Sequence, residues 1–302
     1  MKIAATICDI LPFVPSPADA VRLFEGSGFR YLDYSFYHVL NQPQHPFLSD
    51  FWQKDIEKAG EEAARLGFSF VQAHAPACSI RPEKAEPELT ATLRSIEACG
   101  MLGIENMVIH TGFFREIPYR GGSQAYFEAN RPFFEALIPA MEKHGVHILF
   151  ENTTRRHCPD DCYFPTTAQD LNEWIDFLHH PLFGAAWDVG HAHMDSIDHE
   201  AEICALGPNL RAIHVHDNDA SRDQHMAPFC GSMDFDSLMR GLISSGYSGF
   251  FTLETDGFLP LRRNRNLNGP LAHTPLSVKK QSLALLYTIS REILSAYDVY
   301  EE

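Results

Sequence analysis

Short apolar runs rich in β-branched and aromatic residues alternate with amphipathic stretches along the chain. Eight such runs stand out: KIAATIC (2–8), YLDYSF (31–36), FSFVQAHA (68–75), NMVIHT (106–111), HILFEN (147–152), GAAWDVG (184–190), LRAIHVHD (210–217) and GFFTLETD (249–256). Their length and composition predict strands. Helical periodicity fills the gaps. In SPADAVRLFEGSGF, Ser16 is placed to cap a helix, Pro17 to occupy its first position, and Gly28 to end it. In DFWQKDIEKAGEEAARLGF, Phe51, Ile56, Ala59, Ala63 and Leu66 fall near one face, and Gly67 marks the stop. Further helices are expected over 87–102, 123–144, 168–179, 197–206, 234–245 and 276–297. Strand–helix alternation repeated eight times predicts an α/β protein with a single (β/α)8 barrel, a TIM barrel. No Pro/Gly/Ser-rich linker divides the chain, so residues 1–302 read as one domain.

Ionisable residues fall at the ends of these runs. His74 ends the third and His110 the fourth. Glu151 ends the fifth; Asp188 ends the sixth, with His191 three residues on. His214, His216 and Asp217 end the seventh, and Glu254 the eighth. One polar residue at a loop start needs no function. Six consecutive strands delivering carboxylates and imidazoles to the same rim of a barrel do need one, because active sites of this fold sit there. Carboxylates brought together also repel unless a cation neutralises them. Glu151, Asp188, His214 and Glu254 form an oxygen-and-nitrogen donor set without thiolate. That set suits Mn, Mg, Co or Zn as a divalent metal and disfavours softer ions.

Composition narrows the partners. The formal net charge is −16, which disfavours nucleic acid and acidic membranes. No apolar run is long enough to span a bilayer. The N-terminus reads as a first strand, not a signal peptide, which predicts a cytoplasmic protein. The seven cysteines show no framework and are expected to be reduced thiols. His157, Cys158 and Cys162 in HCPDDC lack a second ligand pair, which argues against a zinc corner there.

The ordered set QAHAP, VIHTG, FENTT, WDVGHAHMD, HVHDND, RDQHMAPFCG and LETD, over roughly residues 3 to 256, resembles the xylose-isomerase-like barrel superfamily. That group holds sugar epimerases, inosose and dehydroshikimate dehydratases, and the endonuclease IV group. The resemblance implies that Glu151, Asp188, His214 and Glu254 are the single metal site of a ketose 3-epimerase, with His191 hydrogen-bonding substrate. It also implies a role at the substrate for His74 and His110. The nine ligands of the endonuclease IV zinc cluster match His74, His110, Glu151, Asp188, His191, His214, Asp223, His225 and Glu254. More than one metal per chain is therefore compatible, with His74, His110, His191, Asp223 and His225 as the added ligands. Against DNA repair stand the acidic charge and HAPACSIR, which lacks the Tyr that the repair enzymes place after this strand.

The expectation is a metal-dependent isomerase or epimerase of a sugar, sugar phosphate or sugar acid. Glu151 and Glu254 would exchange protons through an enediolate, and His191 would steady the oxygen. None of the seven lysines is placed at a strand's C-terminal end, which argues against a lysine-assisted hydride shift. Two alternatives stay open: a metal-dependent dehydratase or lyase of a polyol or cyclic keto acid, and a trinuclear zinc phosphodiesterase. Arg81, Arg115, Arg120, Arg155, Arg156, Arg222, Arg262, Arg263 and Arg265 follow the strands. One or two, Arg222 among them, could grip an anionic end of the carbohydrate; others could serve a homo-oligomer contact. His193 and His216 are expected to support the ligands, Asp195 to cap the next helix, and Asp217 and Asp219 to shape a turn. Trp187, Phe113, Phe114 and Phe258 could wall a sugar face or pack. Segments 38–49, 153–167 and 257–275 are expected to be lids.

Overall fold

The computed structural model describes residues 1–81, 84–157, 161–261, 269 and 272–302. Eight parallel strands close into a barrel in sequence order. They are β1 (Lys2–Thr6), β2 (Tyr31–Ser35), β3 (Ser69–His74), β4 (Asn106–Ile109), β5 (His147–Glu151), β6 (Phe183–Asp188), β7 (Leu210–Val215) and β8 (Phe250–Leu253). β1 pairs with both β2 and β8, which completes the ring. The surrounding helices are α1 (Pro17–Leu23), α2 (Gln53–Leu66), α3 (Ala85–Leu102), α4 (Ser123–Glu135), α5 (Ile138–His144), α6 (Ala168–Leu178), α7 (Val189–Met194), α8 (His199–Leu206), α9 (Phe235–Ser244) and α10 (Leu276–Ser295). The fold is the (β/α)8 barrel that the alternation predicts.

Local chemistry sets the helix ends. Ser16 caps α1 by accepting from Asp19 N at 3.2 Å, and Gly67 ends α2 in the left-handed region at φ 78°. α1 stops at Leu23, earlier than Gly28 suggests. The stretch expected as one helix over 123–144 is two. Pro139 cannot donate a backbone hydrogen bond, so the chain restarts at α5 with the proline in its first turn. The sixth strand stops at Asp188, two residues short of the expected span. Asp188 accepts from His191 N at 2.6 Å and so starts α7 where the sequence pattern reads as strand. Asp198, not Asp195, caps α8; Asp195 instead accepts from Thr154 Oγ1 and Arg155 N.

Most apolar side chains pack between the strands and the helical ring. Val108, Leu149, Ala186 and Ala212 form a separate cluster contributed by β4 to β7. Trp187 is part of the core, its indole donating to His199 Nδ1 at 3.3 Å, and not a wall of the mouth. Among the described residues no helix is long and apolar enough to cross a membrane. Cys8, Cys78, Cys99, Cys204 and Cys230 are free thiols, whereas Cys162 is disulfide-bonded, which corrects the expectation of seven reduced cysteines. Cys158, the other half of the HCPDDC motif, lies outside the described residues.

One buried ion pair was not apparent from the pattern. Lys279 on α10 is fully buried; its Nζ donates to Phe258 O at 2.7 Å and lies 3.9 Å from Asp9 Oδ2. Thr255 Oγ1 donates to the same carboxylate at 2.8 Å. Burial pushes Asp9 up to about 7, and Lys279 offsets only part of that rise. Lys279→Ala should cost about 3 kcal/mol in urea unfolding, since it strands a buried carboxyl and a carbonyl. The sign follows from linkage. A raised carboxyl pKa contributes stability that is full below the unfolded value and lost as pH rises through the folded one. Without Lys279 the folded pKa rises further, so the variant should keep losing stability above pH 7 where the parent levels off. An Asp9→Asn/Lys279→Met double variant should recover most of the deficit.

Candidate metal and substrate site

Strand register brings the ionisable endings to one level of the barrel. Ser35 pairs with His74, Glu151 with Ala186, Asp188 with His214, and His214 with Thr252. Side chains two apart share a face of a strand. So Gln72 sits one layer below His74, and Thr252 one layer below Glu254. Gln72 joins the layers: its amide nitrogen lies 2.9 Å from His214 Nε2, and its oxygen accepts from Thr252 Oγ1 at 3.3 Å.

His214 Nδ1 donates to Glu151 Oε1 at 2.7 Å and lies 3.4 Å from Glu254 Oε2. One donor atom from each of Glu151, Asp188, His214 and Glu254 lies within 4.8 Å of all the others. Glu151 is 1% exposed, and its Oε2 has no hydrogen-bond partner of good geometry, although His74 Nε2 and His110 Nε2 stand 3.3 and 3.2 Å away. Asp188 is fully buried. Its oxygens receive His216 Nε2 at 3.1 and 3.2 Å besides His191 N. Gly190 permits this approach, since a Cβ there would overlap the His216 ring.

The electrostatics show how much positive charge the cluster needs. Burial opposes ionisation of Glu151, but His214 and His110 hold its carboxyl well below the usual range. Burial likewise opposes ionisation of Asp188, yet His191 and His216 bring it down to about 2. Against burial, Glu254 and Glu151 raise His214 to about 10, and Asp188 and Asp223 raise His191 to about 10. His110, without so close a balance, is pushed down by burial to about 4. Carboxylates and imidazoles thus offset one another's charge across the cluster. The donor set, its burial and the unpaired Glu151 oxygen fit a divalent metal held by hard ligands.

A second group adjoins the first. His216, Asp223 and His225 offer donors within 4.8 Å of one another, as do His157, His191 and Asp223. Asp223 Oδ2 lies 2.9 Å from His225 Nε2 and 3.3 Å from His191 Nε2, and His225 Nδ1 lies 3.1 Å from Asp256. Both groups face a cavity of about 330 Å³ at the C-terminal mouth, where His74, His110, Glu151, His191, Asp223 and Glu254 appear in the lining. Phe113 also lines it, stacked on Phe164, while Phe114 packs on Tyr126 behind. Phe258 packs against the core.

Several expected contributors stand elsewhere. Arg222 is exposed and outside the cavity lining. Arg155 bonds to Tyr119, Arg156 to Ala220 O, and Arg115 lies over Phe113. Among the described residues no arginine or lysine lines the cavity; Arg262, Arg263 and Arg265 lie outside the described residues. His193 turns to Ser232. Asp217 accepts from the backbone of Asn218, Gly231 and Met233, and Asp219 from that of Ser221; both shape their loop. Sequence reasoning missed Gln72, Asp256, Asn152 and Tyr37. Gln72 and Asp256 lie two residues from His74 and Glu254, so period-two extension of the strand endings was the available signal. Asn152 locks β5 to β6 through Asp188 N and O at 2.6 and 2.9 Å. Tyr37 follows β2, whose ending carries no charge, and stands over His74 and His110.

The family model described as xylose isomerase-like TIM barrel matches residues 21–271. The chain belongs to that family. A fructoselysine 3-epimerase of Escherichia coli O157:H7 is 43% identical over 118 residues, 39% of this chain and 42% of that protein. The chain spans 41 to 62% of the length of the curated relatives it matches. Among solved structures, D-psicose 3-epimerase from Clostridium cellulolyticum H10 superposes with a TM-score of 0.71 at 14% identity, covering 97% of this chain and 99% of that one. An AP endonuclease of family 2 from Brucella melitensis superposes with a TM-score of 0.65 at 16% identity, covering 84% and 93%. These two likenesses show the shared barrel.

Proposed function

We propose that this protein is a metal-dependent ketose epimerase or isomerase. The observation that carries the reading is the convergence of Glu151, Asp188, His214 and Glu254 within 4.8 Å at the barrel mouth. The named 3-epimerases among its relatives support the substrate class. Those four residues would hold the dication. When bound, the metal supplies Lewis acidity to a carbonyl and the neighbouring hydroxyl, which makes the C–H between them more acidic. The chain's own groups do the proton work. One of Glu151 and Glu254 takes the proton from that carbon, leaving an enediolate. The other, protonated, gives a proton back from the opposite face, and the two carboxyls exchange states. His191, its Nδ1 donating to Asn152 O at 2.9 Å, holds Nε2 at the cavity 3.3 Å from Asp223, where it would exchange that carboxylate for the substrate oxygen that gains charge. No lysine described at the cavity competes for this role, which favours proton transfer over hydride shift.

Turnover of an active ketose in D₂O is expected to place solvent deuterium on the carbon beside the carbonyl. The assay is mass spectrometry of recovered substrate and product, after a screen of ketoses and their derivatives. Rapid conversion with no label at that carbon, in parent and both Glu→Gln variants, would sink the two-base scheme.

A metal-dependent phosphodiesterase is the second reading, favoured by the adjoining His216, Asp223 and His225 group. It ranks below the first because of the −16 charge and the absence of lysine or arginine from the described lining. We expect no incision of an abasic-site duplex at low salt with added zinc, where electrostatic binding is strongest. Efficient cutting in a gel assay would reverse the order.

A further inference from the structure

A second cavity, of about 450 Å³, lies between the loops that follow β1 and β2. It is larger than the cavity holding the carboxylates, and the two share Cys8 and His38 in their walls. Its floor is apolar: Tyr34, Phe36, Phe47, Trp52 and Ile56 are all buried, and each contributes to the lining. Ser16, Ser35, His38, Asn41, Gln42 and His45 stand around that floor, and among the described residues the one carboxylate of the lining is Asp55. Among the described residues no lysine or arginine lines it. Arg94 approaches the Trp52 ring but donates its guanidinium to the carbonyls of Phe47 and Ser49. His45, one of two imidazoles in the lining, is pushed down by burial.

A monosaccharide finds partners for its hydroxyls in the carboxylate–imidazole cavity, with Phe113 in the wall for a C–H face. A bare sugar seated there leaves the larger adjoining chamber without a ligand group. Mostly apolar cavities of this size with a few polar groups are typical binding sites for larger organic ligands. We propose that the substrate is a substituted sugar, whose sugar part sits at the metal site and whose apolar substituent, neutral or positively charged, occupies the chamber beyond Cys8 and His38. The inference rests on the epimerase reading for the sugar part alone. It differs from the alternative of an anionic substrate, whose phosphate or carboxylate would meet Asp55 in the chamber, or Glu151, Asp223 and Glu254 in the first cavity, with no described lysine or arginine in either lining. Binding energy from a non-reacting part of the substrate can be used at the reacting carbon, so the unsubstituted sugar should lose kcat as well as affinity.

The test compares ketohexoses with the same sugars carrying a hexylamino group at C1 or C6, and with a control of equal length ending in a carboxylate. The hexylamino form at one position is expected to exceed the unsubstituted sugar by about 10- to 100-fold in kcat/KM, the range that burial of a leucine-sized group supports. The carboxylate control should lose that gain. Val14→Trp and Gln42→Trp, which fill the chamber from its rim, should bring the ratio of the two kcat/KM values toward unity. A second readout needs no turnover. Trp174 and Trp187 are core residues, so Trp52 is the tryptophan that faces this chamber. Hexylamine alone should change its fluorescence saturably, hexanoate should not, and Trp52→Phe should abolish the signal. Equal kcat/KM for substituted and free sugars, together with no Trp52 response to hexylamine, overturns the inference. If no sugar of any kind is turned over, the epimerase reading falls, and the Trp52 titration alone decides whether the chamber takes an apolar amine.

Discussion

Glu254→Gln and Glu151→Gln are each expected to lower kcat by about 10³-fold, within the range that loss of a general acid–base group produces. The two should differ in everything else. Glu254 is 17% exposed at the cavity, and its ion-pair partner is His214 at 3.4 Å. Gln there keeps shape and leaves that imidazole its other partner, so the melting temperature should move little. Glu151 is buried at the centre of three imidazoles, His74, His110 and His214. An amide there removes the charge that favours the protonated forms of His74 and His214, and stability should fall along with rate. Deuterium exchange separates the bases. A variant that retains one carboxylate can still remove and return the proton on that face without completing the inversion. One of the two should therefore show substrate labelling without product. Full activity in either single variant would remove that residue from the scheme; a rise in KM alone would assign it to binding.

The barrel was legible because its strands are short apolar runs closed by ionisable residues. His74, His110, Glu151, Asp188, His214 and Glu254 announce the mouth by type and position. Legibility failed where the signal was not a charge at a strand end. Asp188 is both strand end and helix cap, so VGHAHM reads as loop or strand until His191 N is seen to bond its carboxylate. Gln72 and Thr252 carry no charge and sit one layer down, yet they set the orientation of His214. Lys279 is remote in sequence from Asp9, and no periodicity on α10 suggests that its ammonium reaches the loop after β8. The arginines failed for the opposite reason. Each follows a strand, but Arg155 and Arg156 are held by Tyr119 and Ala220 O on neighbouring loops. The second chamber was invisible because β1 and β2 end in no exposed charge, and its floor is made of apolar residues that a sequence reading assigns to the core.

Asp188→Ala is expected to abolish stoichiometric metal in protein dialysed against micromolar Mn or Zn, read by elemental analysis, with affinity reduced at least about 10²-fold. Asp188 gives the cluster a carboxylate that is wholly removed from water, so no solvent can replace it cheaply. The substitution also uncaps α7 and leaves His216 Nε2 without its acceptor. Loss of the cap alone costs about 1 kcal/mol, which the barrel should tolerate. Asp188→Asn separates the effects: it keeps a cap acceptor and removes the charge, so it should restore stability and not metal. Adding metal at about 100 times its Kd should stabilise the parent by about 2.7 kcal/mol, and neither variant should respond. Asp223→Ala completes the set. It lies in the adjoining group with His216 and His225, so a single-metal site predicts unchanged stoichiometry in that variant, and a multi-metal cluster predicts a loss. Retention of stoichiometric metal by Asp188→Ala would move the ion out of the Glu151, Asp188, His214 and Glu254 set altogether.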